Sequence, residues 1–326
     1  MAADAVTVII VVHGGRHVVR CLECLAAQSL PPARVILLDN ASPDDAVAAC
    51  GRAIAADPRL MGRAEVRPLG ANRGFAAACN IGVALANTPL VAFLNPDAFP
   101  EPDWLERLVA AAGSHPATAA FGSRQMLAGQ PHVLDGIGDR YHVGGLAWRG
   151  GHGRRLRPAD LESREIFSAC AAAALYRRAA VLDVGGFDED FFCYMEDVDL
   201  GFRLRLAGGA ARSVPDAVVH HVGAASSRGD GGRTAAYYGH RNRVWTHVAN
   251  MPAPLLAASL PLHFFLTILA GLALAARGQG GAFVRGTAAA VAGLPGAWRK
   301  RRRVQASRAA STAAIWRMLD KNLWRG

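Results

Sequence analysis

Three short runs of acids and amides flank apolar stretches of the chain: Leu38-Asp39-Asn40-Ala41-Ser42, Phe93-Leu94-Asn95-Pro96-Asp97-Ala98 and Tyr194-Met195-Glu196-Asp197-Val198-Asp199-Leu200. In the first, the Asp39 carboxylate can accept hydrogen bonds from a nucleobase imide or a ribose hydroxyl, although an isolated Asp there also reads as a turn residue. In the second, a carboxylate at a strand end can hold a divalent cation through oxygen while the cation binds two phosphates. Pro96 stiffens that loop and fixes Asn95 relative to Asp97; alone, such a tripeptide is an ordinary turn. The third run opens a helix, where acids are favoured by the dipole for structural reasons alone. Three acids in four positions exceed what capping requires. A partly desolvated carboxylate there can act as general base on a hydroxyl.

Between the first two runs lies Gly70-Ala71-Asn72-Arg73-Gly74-Phe75-Ala76-Ala77-Ala78-Cys79-Asn80-Ile81-Gly82. Backbone N–H groups at this loop-to-helix junction, with Arg73, suit a diphosphate or a sugar. The run lacks the Gly-Lys-Ser/Thr of a P-loop and the G-x-G-x-x-G fingerprint, which argues against ATP hydrolysis and nicotinamide redox chemistry.

The elements that must position these side chains follow from periodicity. Val6–Val12 is a continuous apolar, β-branched run, as expected of a strand buried on both faces. Further strands are expected over 34–38, 65–69, 90–94 and 118–121, with helices over 18–28, 75–86 and 102–112 between them. Ser42-Pro43-Asp44-Asp45 reads as a helix N-cap with Pro in the first helical position. Strands alternating with helices imply a parallel-rich sheet covered on both faces, with ligands beyond the carboxyl ends of its strands. Residues 124–164, rich in Gly, Arg and His, read as a surface excursion. Strands resume over 168–176 and 217–221.

The composition, 52% hydrophobic and 19% charged over 326 residues, excludes a disordered chain. A formal charge of +10 favours anionic partners: nucleic acid, anionic membrane surfaces or phosphorylated small molecules. Arg154, Arg155 and Arg157 form one basic cluster, and Arg299, Lys300, Arg301, Arg302 and Arg303 a denser one. The latter follows residues 255–276, which hold no formal charge and are long enough to span a bilayer, although Pro254 and Pro261 also allow an interfacial helix. The order fits attraction to anionic lipid. Few aromatics accompany the basic runs and no recognition motif appears, so nucleic acid is not an expected partner. Cys21 and Cys24 lack a second pair or a His set to complete a zinc site and read, with the other four cysteines, as buried thiols of a reducing compartment. No basic n-region or cleavage site is evident at the N-terminus, so the body of the chain is expected to face the cytoplasm.

Taken in order, the apolar first strand, Leu38-Asp39-Asn40-Ala41-Ser42, Asn72-Arg73-Gly74-Phe75 with Asn80, Asn95-Pro96-Asp97-Ala98 and Glu196-Asp197-Val198-Asp199-Leu200 closely resemble the family-2 glycosyltransferases, in particular a rhamnosyltransferase-like branch. The resemblance covers roughly residues 6–245. It implies an α/β GT-A fold, a parallel-rich mixed sheet with helices on both faces, as a domain of residues 1–245. Residues 246–326 would follow as a hydrophobic and basic helical segment that associates with membrane. By the same resemblance Asp39 contacts the base, Asp97 anchors Mg²⁺ or Mn²⁺, Asp197 is the catalytic base and Glu196 lies beside it in the acceptor site. Arg73, Asn80, Asn95 and Arg241 are expected on the donor, and His221 near the metal or the diphosphate.

Two positions depart from the family pattern. Val12-His13-Gly14 stands where a Thr-Tyr-Asn is usual, so stacking on the base falls to His13 or is lost. Asn95 replaces the first Asp of the metal motif and lowers its negative charge. The implied activity is inverting transfer of a sugar, L-rhamnose from dTDP-L-rhamnose, to a polyprenyl-diphosphate-linked glycan or polysaccharide acceptor at the cytoplasmic face of a bacterial inner membrane. A non-catalytic glycan or lipid-surface scaffold on the same fold is the alternative of a different class. A nucleotidyltransferase would need a Gly-rich basic start after the first strand, which is missing.

Overall fold

The computed structural model describes residues 6–223 and 230–322; positions 224–226, which continue the motif that begins at His221, lie outside them, as do residues 1–5. The first half runs β1 (Val6–Val12), α1 (Val18–Ala26), β2 (Arg34–Asp39), α2 (Ala46–Ala56), β3 (Ala64–Pro68), α3 (Phe75–Leu85), β4 (Leu90–Leu94), β5 (Ala98–Pro100), α4 (Trp104–Ser114) and β6 (Thr118–Leu127). Then come β7 (Gln130–Gly136), β8 (Asp139–Tyr141), β9 (Ala147–Arg149), β10 (Glu165–Ile166), β11 (Ala173–Arg177), α5 (Arg178–Asp183), α6 (Glu196–Leu206) and β12 (Ala210–His221). Five helices close the chain: α7 (Arg233–Asn250), α8 (Ala253–Ala276), α9 (Gly280–Ala292), α10 (Leu294–Ala306) and α11 (Thr312–Met318).

One sheet organises the molecule, in the order β10-β12-β6-β11-β4-β1-β2-β3. Strands β3, β2, β1 and β4 are parallel, and β11 inserts antiparallel between β4 and β6. The seven residues of β1 are buried throughout, as a central strand covered on both faces requires. One face packs on α1, α2 and α4 through Val8, Ile10, Leu22, Leu25 and Trp104, the other on α3 and α5 through Ile9, Phe93, Tyr176 and Phe187. Gly82 of α3 sits so close to Ile9 that a Cβ would approach its Cγ2 to 2.5 Å, which seats this helix on the sheet.

Several expectations change. Residues 124–164 are not a surface excursion: β6 continues to Leu127, β7 pairs with it, and β8 pairs with β9, so buried Asp135, Asp139 and Tyr141 enter the interior. Ser42 does not cap α2, which begins at Ala46: its Oγ accepts from Gly14 N at 3.0 Å. Asp44 accepts from Ala46 N at 3.2 Å through Oδ1 and from Gly15 N at 2.8 Å through Oδ2, tying the start of α2 to the loop after β1. The last strand is longer than expected, because β12 runs beside β6 from Ala210 and ends at His221. Residue 245 falls inside α7. A third cluster joins Tyr141, Phe167, Val198 and Phe202 of the body to Met251, Leu256, Ile315 and Leu319. Within the dense basic run, Arg301 is buried and donates to the carbonyls of Val248 and Met251, and Lys300 pairs with Asp188, so these two cations pin helices rather than face outward.

Candidate active site

The carboxyl ends of β1, β2 and β4 lie side by side, and the first two motifs follow them. Asp39 ends β2, is buried, and accepts Ser42 N at 3.0 Å, so it closes the turn that an isolated Asp would be expected to make. His13, exposed after β1, is held by a 3.0 Å hydrogen bond between Nδ1 and the Asn40 carbonyl. Asn40 is the organiser here: its amide donates to Asn72 Oδ1 at 2.9 Å and accepts from Arg73 N at 2.8 Å. Arg73 thereby stands exposed at the mouth of α3. The next residue, Gly74, has φ +81° and lies against Phe192, where a Cβ would meet backbone at 2.6 Å; only glycine fits.

Asn95 and Asp97 follow β4, and His221 arrives from the end of β12. His221 Nε2 faces Asp97 Oδ1 at 3.3 Å and Asn95 Nδ2 at 3.4 Å, while Nδ1 meets Asp135 Oδ2 at 2.8 Å. Burial opposes the charge on Asp97, but the hydrogen bond and charge of His221 outweigh it and hold the carboxyl below its usual range. Asp135 is likewise lowered against burial, by His221 and Arg149. Burial disfavours the charged His221 ring, yet Asp135 and Asp97 raise its affinity for the proton. Among the described residues no group of three or more His, Cys, Asp or Glu side chains is arranged to hold a metal. What the protein offers is one carboxylate oxygen facing one imidazole nitrogen, whose far side is anchored by a carboxylate. That pair fits a divalent cation whose other ligands are phosphate oxygens and water.

The acidic motif forms the opposite wall. Asp197, half-buried, accepts from Ala171 N at 3.2 Å and from Val198 N at 2.8 Å. Its neighbour in the fold, Ala172, accepts Asn95 N at 2.8 Å, so two consecutive residues tie Asp197 to the loop that carries Asp97. Glu196 is buried, and its Oε2 has no hydrogen-bond partner among the described residues. Burial, followed by the charge of Asp197, raises Glu196 well above the carboxylate range. Asp139, bonded to Ser168 Oγ at 2.9 Å, is pushed up to about 8 by burial and then by Asp197. Arg149 pairs with Asp135, and its charge also acts on Asp139 and Asp197, which couples the two walls electrostatically.

The loop before α6 is strained: Phe192, Tyr194 and Met195 all have positive φ. Asn242 of α7 holds it, donating to the carbonyls of Phe191 and Cys193 at 2.9 Å and of Tyr194 at 2.8 Å. Arg241 donates to the Asp190 and Phe191 carbonyls and lies 4.4 Å over the Trp245 ring. Asn80 exchanges two hydrogen bonds with the backbone of Phe187 and donates to Glu189. Asn80 and Arg241, two of the residues expected on the donor, thus turn toward this loop and support it. Asn40, Asp135, Asp139, Arg149 and Ser168 were not identified from sequence as site residues. A buried acid in a Gly-rich stretch leaves no periodic signal, and only the Asp135-to-Asp139 spacing within 130–140 hints at one. A cleft of about 680 Å³ lined by Arg34, Arg63, Glu65 and Thr88 lies at the amino ends of the strands, away from all these groups.

The profile of Glycosyl transferase family 2 matches residues 7–185, and that of Glycosyl transferase family group 2 matches residues 152–298. An N-acetylglucosaminyl-diphospho-decaprenol L-rhamnosyltransferase of Mycobacterium tuberculosis is 31% identical over 264 residues, which cover 72% of this chain and 82% of the relative. A pre-mycofactocin glycosyltransferase of the same organism is 32% identical over 205 residues, covering 62% of this chain but only 42% of that protein. Among solved structures, a mannosyltransferase from Pyrobaculum calidifontis in complex with GDP-Man and Mn²⁺ superposes with a TM-score of 0.57 at 21% identity, over 99% of this chain and 90% of that one.

Proposed function

The chain belongs to glycosyl transferase family 2 and has the GT-A fold, and from that premise we propose that it transfers L-rhamnose from dTDP-L-rhamnose to a polyprenyl-diphosphate-linked glycan, with inversion, at the cytoplasmic face of a bacterial inner membrane. The observation that carries the reading is the facing pair of walls: Asp97 with His221 on one side, Asp197 with Glu196 on the other, joined through Ala171 and Ala172. The 31% identity to a diphospho-decaprenol L-rhamnosyltransferase supports the choice of sugar and acceptor class.

In this reading His13 and Asp39 receive the base and Arg73 the diphosphate or the sugar. Asp97 and His221 would hold Mg²⁺ or Mn²⁺, with Asp135 fixing the ring so that Nε2 is directed at the site. The cation, when bound, supplies charge stabilisation of the departing diphosphate. Asp197 accepts the proton of the acceptor hydroxyl as its oxygen bonds to the anomeric carbon. The bond from that carbon to the diphosphate oxygen breaks with its electron pair, and the nucleoside diphosphate leaves. Glu196, with one buried oxygen that has no partner among the described residues, is placed to share a hydrogen bond with the acceptor. Asn80 and Arg241 act indirectly, by keeping the strained loop in place.

The test is turnover with a panel of nucleotide sugars and a vesicle-embedded N-acetylglucosaminyl-diphospho-polyprenol, with the anomeric configuration of the product read by NMR. Rhamnosyl transfer from dTDP-L-rhamnose with inversion is the expected result. Preference for another sugar nucleotide overturns the donor assignment, and retention overturns the single displacement.

A further inference from the structure

Helix α8 has 24 residues and a mean hydropathy of 2.0 in its most apolar window, enough by length and composition to cross a bilayer. Its surroundings argue otherwise. Leu256, Ser259, His263 and Leu266 form a buried stripe along one side, at spacings of three and four. That stripe meets polar groups of the body: His263 Nδ1 lies 2.9 Å from the Gly144 carbonyl, its ring stacks on His247 at 4.4 Å, and Ser259 Oγ lies 2.9 Å from His247 Nε2. One turn on, Thr267 accepts from Arg243 at 2.6 Å. If α8 crossed a bilayer in this arrangement, the Gly144 loop, Arg243 and His247 would be carried to acyl-chain depth.

The other side is apolar and exposed: Leu260, Phe264, Phe265, Ile268, Leu269 and Leu272 stand in two adjoining rows. Helix α9 packs on α8 at Gly271, where a Cβ would approach Phe283 to 2.6 Å. From α9 onward along the chain, exposed Val284, Trp298 and Trp316 are each followed by an exposed Arg: Arg285, Arg299 and Arg317. The charge of the chain is partitioned sharply. Residues 1–245 carry 25 basic and 25 acidic side chains, whereas residues 246–326 carry 11 basic ones and a single acid, Asp320. The whole formal charge of +10 therefore belongs to the segment that bears the exposed apolar rows. Apolar side chains interleaved with arginines suit an anionic lipid surface, where the former enter the acyl boundary and the latter meet headgroup phosphates.

We propose that α8, α9 and α10 form one monotopic face on an anionic bilayer, with α8 lying in the membrane plane and both its ends on the same side. This deepens the reading of a lipid-linked acceptor and rests on it for its purpose. Helix α7 connects the two regions, since Asn242 holds the catalytic loop while Arg243 and His247, on the same helix, hold α8. A bilayer-bound α8 would thus set the base at a fixed height above the headgroups.

The experiment uses the full-length chain. Reporter cysteines at the two ends, Ala253→Cys and Ala276→Cys, are treated with a membrane-impermeant maleimide in intact spheroplasts and in inverted vesicles, with the unsubstituted chain as background. Labelling of both in inverted vesicles and of neither in spheroplasts is expected; one end labelled from each side means a span and overturns the proposal. Purified protein should float with phosphatidylcholine vesicles containing one third phosphatidylglycerol and not with phosphatidylcholine alone. Phe264→Ser with Ile268→Ser, or Arg302→Glu with Arg303→Glu, should each weaken that binding by on the order of tenfold or more. Dimerisation through α8 with no vesicle binding would make a second copy the occupant and overturn it. Transfer to a short-chain, water-soluble acceptor, run on the same samples, separates the two questions: its absence counts against the functional reading and leaves the topology result standing.

Discussion

The end of the sheet formed by β1, β2 and β4 and the wall formed by the 187–195 loop with α6 hold their side chains by different means. At the sheet end the backbone does the positioning: Val12, Asp39 and Leu94 end three hydrogen-bonded parallel strands, and Asn40, the residue after β2, sets Arg73 through one hydrogen bond to its backbone N–H. At the opposite wall three residues with positive φ precede the acids, and the loop is kept in that state by side chains from α7 and α3. A parallel sheet supplies rigidity as a by-product of its ladder, whereas a strained loop has to be held from outside, by groups distant in sequence. The donor side should therefore tolerate loss of a single side chain without loss of structure, and the acceptor side should not.

The strongest way to break that contrast is Asn242→Ala. It removes the amide that three carbonyls of the strained loop share, of which Phe191 keeps Arg241, at an expected cost of about 3 kcal/mol in stability, and turnover should fall with it. Chemical denaturation beside kcat reads both. Asp135→Asn removes the charge behind His221 and should weaken Mn²⁺ affinity by about 10- to 100-fold while folding is kept, measured by paramagnetic resonance of the bound ion. On the sheet end, Arg73→Ala should leave Tm unchanged and weaken donor binding by about tenfold, the worth of one charge-assisted contact. The smallest effect concerns Asp139. The folded chain keeps its proton up to about 8, whereas an unfolded Asp releases it near pH ~4. Between those limits the folded state binds the extra proton, so stability drains away as pH rises. Asp139→Asn should flatten the fall of Tm with pH over that window; an unchanged slope would mean Asp139 is ionised.

The contrast also explains what could be read in the sequence. The strands and helices up to Leu94 were legible because each is a short, uninterrupted apolar or periodic segment, and the motifs after β2 and β4 are carried to the strand ends with them. The acidic run at Glu196 and Asp197 was visible as composition; Asn80 and Arg241 were singled out by resemblance, but as donor contacts, and their hold on the loop was not visible. Asn242 and Asn80 act across about fifty and a hundred residues respectively, and nothing local marks an amide that binds a distant carbonyl. The stretch from 124 to 164 misled for a related reason. Its strands are short and rich in Gly and Arg, so the period of two is broken, although Asp135, Asp139 and Arg149 from it connect the two walls. The basic run at 299–303 likewise looked uniform, but helical geometry turns Lys300 and Arg301 inward and leaves Arg299, Arg302 and Arg303 exposed.

The central claim is that one wall binds the donor with its cation and the other performs the proton transfer. The most direct test is to measure, side by side, calorimetric binding of dTDP-L-rhamnose with Mn²⁺ and single-turnover transfer for Asp97→Ala and Asp197→Asn. The account predicts that Asp97→Ala loses metal-dependent donor binding, whereas Asp197→Asn keeps it within about twofold and loses transfer by about 10²- to 10⁴-fold. Transfer by Asp197→Asn at the unsubstituted rate, or a loss of donor binding equal to that of Asp97→Ala, would contradict it.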